Sequence, residues 1–172
     1  ISEMWALVHQ QLYNAGEAML TGDKELAYKV ISRERRVNAF ELKIDSDCED
    51  IIALYAPVAI DLRFVLAMYK INTNLERLGD FAESIARFAG NLPEGEPIDP
   101  QLVKETRVEE MLSELLSMIS LTKEAFEKES SEIASRIFLK DNLIDEINHN
   151  STAIIAKYIE EHKGSALAGL YM

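Results

Sequence analysis

Residues that interrupt helices fall at only a few points in this chain, and that placement constrains its fold more than any other feature. Seven glycines and four prolines occur in 172 residues, and three of the prolines lie within residues 91–100. Elsewhere apolar residues recur every three or four positions, the period of an amphipathic helix. Residues 1–21 carry Ile1, Trp5, Val8, Leu12, Ala15 and Met19 at such steps. Gly22 suits the end of that helix and Asp23 the cap of the next. Over 24–55 the core face is read as Val30, Val37, Ile44, Cys48, Ile51 and Tyr55. Ala56-Pro57 ends this second helix, because the residue before a proline avoids the helical region. A third helix is expected over 59–90, a fourth over 101–127, a fifth over 132–162 capped by Ser131, and the start of a sixth over 166–172.

Three helices, a linker and three helices suggest an internal repeat. An offset of 107 places Ala18 on Ala125, Ala27 on Ala134, Val30 on Ile137, Val37 on Ile144, Cys48 on Ile155 and Ile52 on Ile159. Core positions fall on core positions, as a duplication requires. The expected class is therefore all-α, with two repeated three-helix bundles. The first spans 1–90, residues 91–100 link, and the second spans 101–172 with its sixth helix truncated. The chain opens at Ile1 and stops in mid-pattern at Met172, which reads as a fragment of something longer.

Composition removes several classes of function. A net charge of −12 argues against nucleic acid, whose phosphates need a basic face. Arg33, Arg35 and Arg36 lie among acids and read as solvated surface. The lone Cys48 cannot form an internal disulfide, which points to a reducing compartment. No apolar run reaches the roughly 18 residues of a membrane span, and no signal peptide is recognisable. Neither a nucleophile–base constellation nor a phosphate-cradling glycine loop occurs, so an enzyme is not expected. A helical di-iron oxidase needs two Glu-x-x-His strings, and only Glu146-Ile147-Asn148-His149 fits.

The candidate chemistry lies in carboxylates one helical turn apart. The second helix carries Glu34, Asn38, Glu41 and Asp45, at steps of four, three and four. At about 100° per residue, with Val30 at zero, Glu41 falls near ~20°, Glu34 near ~40°, Asp45 near ~60° and Asn38 near ~80°. These positions flank the core face, where like charges one turn apart repel and call for a cation or a shifted pKa. The third helix carries Glu76 and Asp80, with Gly79 between them. If the two helices run antiparallel about a turn near residue 57, position 76 faces 38 and position 80 faces 34. Three carboxylates and a carboxamide at one level are a donor set for hard or borderline cations. In the second half Asp141 and Asp145 repeat Glu34 and Asn38, and their expected mates lie past Met172. Acids four apart are also common on solvated helix faces, and Glu76 lies roughly opposite the apolar residues Ile71, Leu75, Leu78, Ala82 and Ile85.

The strings Leu7-Val8-His9-Gln10-Gln11-Leu12, Glu41-Leu42-Lys43-Ile44-Asp45, Ala56-Pro57, Asp61-Leu62-Arg63 and Leu75-Glu76-Arg77-Leu78-Gly79-Asp80 resemble the first repeat of the PhoU family. The similarity runs over nearly the whole chain. It implies paired three-helix bundles whose E/D-x-x-x-D motifs hold iron or magnesium, singly or as a multinuclear cluster. It also implies a cytoplasmic negative regulator of phosphate uptake and of the phosphate-starvation response. Such a protein links the ATPase of a phosphate ABC transporter to a sensor histidine kinase, forms homodimers and does not itself insert into the membrane. The metal residues carried over are Glu34, Asn38, Glu41, Asp45, Glu76, Asp80, Asp141 and Asp145. Asn38 stands where the family often has Asp, and a second ERxGD string is not present. Two alternatives share the same features: the regulatory domain of a sodium–phosphate cotransporter, and a helical adaptor without metal.

Overall fold

The computed structural model describes residues 1–92 and 98–161. Among them are six helices and no strand: α1 (Ser2–Thr21), α2 (Lys24–Tyr55), α3 (Ala59–Asn91), α4 (Pro100–Thr106), α5 (Val108–Glu127) and α6 (Ser131–Glu161). The breaks fall where local chemistry puts them. Gly22 closes α1 in the left-handed region at φ 70°, and the Asp23 carboxylate accepts the Leu26 N–H at 2.9 Å to cap α2. Ala56, held left-handed at φ 43° ahead of Pro57, turns the chain into α3.

Helices α1, α2 and α3 pack as one bundle. Its core is Met4, Trp5, Val8, Ala15 and Ala18 of α1, Ala27, Val30 and Val37 of α2, and Leu75, Ala82, Ala86 and Ala89 of α3. The alanines allow close approach of the axes, and removal of this apolar surface from water drives the assembly. The second group, α4–α6, joins through α1. The Trp5 indole N–H donates to the Ile119 carbonyl at 3.1 Å, and Leu112 packs on Gly16 so closely that a Cβ there has no room. Offset by 107 residues, α1 and α2 fall within a residue of α5 and α6 at both ends, so the repeat is visible in the element bounds.

Four expectations need correction. The helix expected over 101–127 is two helices, because Arg107 adopts φ 54° and separates α4 from α5. Arg107 is tied down in that conformation by Glu110 at 2.7 Å and Glu146 at 3.1 Å. The cap of α6 is Ser130, whose hydroxyl accepts the Ile133 N–H at 3.3 Å, and Ser131 is already helical. Ile51 and Tyr55 are exposed, Tyr55 at 76%, because the α2–α3 hairpin outruns the described part of α1 at that end. The linker is shorter than 91–100: Asn91 ends α3, Pro100 begins α4, and Leu92 and Ile98 are buried with Leu102 in a second small core. The helix expected over 166–172 lies outside the described residues.

Candidate functional site

The antiparallel contact of α2 with α3 sets the register of the polar residues between them. Asn72 of α3 is fully buried, and its amide donates to the Glu41 carbonyl at 2.9 Å and to the Asp45 carboxylate at 2.7 Å. Two turns further along α3, Gly79 lies against α2. A Cβ built there would come 2.9 Å from Val37 Cγ1 and 3.5 Å from Glu34 Oε2. Position 72 thus meets 41 and 45, and position 79 meets 34 and 37, which is the register that counting from the turn at residue 57 gives. The missing side chain at 79 therefore lets α3 approach α2 at Val37, with Glu34 in contact beside it.

Glu34 is the most unusual residue of this interface. It is only 5% exposed, and neither carboxylate oxygen has a hydrogen-bond partner among the described residues. A buried carboxylate left in that state is costly. Burial, followed by the nearby charges of Asp80, Glu83 and Glu76, pushes its carboxyl up to about 7. The Glu76 carboxyl is also raised, first by burial and then by Asp80 and Glu41. Strained ionisation of this kind concentrates at functional sites. Glu34 opens into a cleft of 490 Å³ shared with Ser32, Arg35 and Asn38 of α2 and Asp80, Glu83 and Arg87 of α3.

The eight candidate metal residues therefore separate. Glu34, Glu41, Asp45 and Glu76 lie buried or half-buried along one α2–α3 groove, with Asn38 and Asp80 exposed on its rim. Asp141 and Asp145 lie on the exposed face of α6, apart from that groove. Among the described residues, no three His, Cys, Asp or Glu side chains converge as they stand into a group able to hold a metal ion. The orphaned oxygens of Glu34 and the carboxylates beside it are donors of the kind that suit a hard cation.

Sequence reasoning missed Asn72, Glu83 and Arg87. All three continue the Glu76/Asp80 stripe at steps of four and three, so the signal was present. The arginine at 35, read as plain surface, also lines the cleft.

The described residues thus form an all-helical bundle with a carboxylate-lined groove between α2 and α3. The PhoU domain model matches residues 1–89. The phosphate-specific transport system accessory protein PhoU homolog of Aquifex aeolicus is 34% identical over 163 residues, covering 94% of this chain and 71% of that one. The crystal structure of PhoU from Pseudomonas aeruginosa superposes with a TM-score of 0.91 at 28% identity, over 98% of this chain and 79% of the other. The phosphate transport system regulatory protein PhoU from Streptococcus pneumoniae gives 0.85 at 27% identity, over 98% and 77%. The chain belongs to the PhoU family, a family of accessory and regulatory proteins and not of enzymes.

Proposed function

We propose that this protein is a negative regulator of phosphate uptake and of the phosphate-starvation response that works by binding and not by turnover. It acts in the cytoplasm as a dimer, between the ATPase of a phosphate ABC transporter and a sensor histidine kinase. Its relatives carry the names of transport accessory and regulatory proteins. No described helix is long and apolar enough to cross a membrane, in keeping with recruitment through partners.

The observation that carries the reading is Glu34, a buried carboxyl with two unsatisfied oxygens facing the acids of α3. A cation of the iron or magnesium class would relieve that repulsion, with Glu34, Asn38, Glu76 and Asp80 as its main ligands and Glu41 and Asp45 further along the groove. When bound, it supplies positive charge and a cross-link that ties α2 to α3. The protein's own part is to hold the acids in register through Asn72 and Gly79. Asp141 and Asp145 would belong to a second, equivalent site. A metal-free adaptor is the second reading, favoured by the absence of a ready-made three-donor cluster among the described residues.

Deletion of the gene tests the regulatory role. Phosphate-starvation genes should stay on in rich phosphate and return to repression when the wild-type gene is restored. Normal repression in the deletion strain contradicts the assignment.

A further inference from the structure

Arg87 of α3 and Arg35 of α2 line the same 490 Å³ cleft as Glu34, Asp80 and Glu83. Arg35 makes no ion pair among the described residues. Arg87 gives one N–H to Glu83 at 2.6 Å and has further donors to offer. The cleft thus carries groups of both signs. Its buried, unpartnered Glu34 carboxyl needs a positive charge. Its two guanidinium groups have planar forks that match the oxygens of a phosphate.

Resting on the cation reading above, we infer that the cleft holds a phosphate dianion beside that cation, with Arg35 and Arg87 as its protein ligands. Glu34, Asp80 and Glu83 outnumber the two arginines, so the cleft repels phosphate until a cation is in place. Cation and phosphate then bind with positive coupling, and each tightens the other by the same factor. The protein would read phosphate directly, as an ion seated between α2 and α3.

The test uses the full chain freed of metal, titrated with Mn²⁺ and followed by electron paramagnetic resonance. Inorganic phosphate is compared with chloride at equal ionic strength, with correction for Mn²⁺–phosphate association measured without protein. Phosphate should tighten Mn²⁺ binding about tenfold or more, within the usual range of such couplings. The Arg35→Gln/Arg87→Gln variant, its helicity checked by circular dichroism, should still bind Mn²⁺ but gain less than about twofold from phosphate, because the cation ligands remain. Phosphoserine in place of phosphate separates a free ion from a phosphorylated partner: equal tightening assigns the site to the partner's phosphoryl group, weaker tightening to the free ion. Mn²⁺ binding that ignores phosphate, or a double variant that keeps the full effect, overturns the inference. Failure of the wild-type chain to bind Mn²⁺ at all overturns the cation reading beneath it.

Discussion

Replacing Glu34 by glutamine should stabilise the metal-free protein, and do so more at high pH than at low pH. Its carboxyl moves from 4.5 to about 7 on folding. At about 1.4 kcal/mol per unit, the ionised form costs the fold about 3 kcal/mol. The sign follows from linkage, because the folded value lies above the unfolded one. The cost is absent below pH 4.5, where both states are protonated, grows as pH rises, and is complete above about pH 7. The amide cannot ionise, and its own desolvation cost does not change with pH. The stability of Glu34→Gln relative to wild type should therefore rise by about 2 kcal/mol between pH 5 and pH 8. Urea denaturation of both proteins at the two pH values, in chelator and with matched m-values, measures this difference. An identical difference at pH 5 and pH 8, or one that shrinks as pH rises, refutes the reasoning that Glu34 is a buried, unpaired carboxylate.

Two further substitutions probe the α2–α3 contact. Gly79→Ala puts a methyl 2.9 Å from Val37 Cγ1, so overpacking outweighs the gain in helix propensity. The net loss should be about 1–2 kcal/mol, read as a Tm lower by several degrees, and an unchanged or higher Tm contradicts the close approach. Asn72→Ala leaves the Glu41 carbonyl and the Asp45 carboxylate without their buried donor and should cost about 2–3 kcal/mol in urea denaturation. A cost below about 0.5 kcal/mol would mean that the asparagine does not hold the register.

The long helices were legible because their breaks carry explicit chemistry: glycine and aspartate at 22 and 23, proline at 57 and at 100. The α4–α5 break was not, since Arg107 reaches the left-handed region without the glycine that usually marks it and is held there by glutamates 3 and 39 residues away. Helical periodicity placed Glu34 beside the core, at about 40° from Val30, and it is buried. The same arithmetic could not tell that Tyr55 is exposed, because periodicity says which way a side chain points but not how far the neighbouring helix extends. Asn72 was not legible because a single asparagine one turn before Glu76 carries no mark of burial, which comes only from its packing against Glu41 and Asp45. Asp141 and Asp145 match Glu34 and Asn38 by the repeat but lie exposed, with no helix in the described residues facing them as α3 faces α2.

The central claim is that the acids between α2 and α3 hold a metal ion. It is tested most directly by the metal content of the purified protein, measured by inductively coupled plasma mass spectrometry beside that of a Glu76→Ala/Asp80→Ala variant that keeps its helicity. Iron or magnesium should be retained by the wild-type chain and largely lost from the variant. Equal metal content in the two proteins would contradict it.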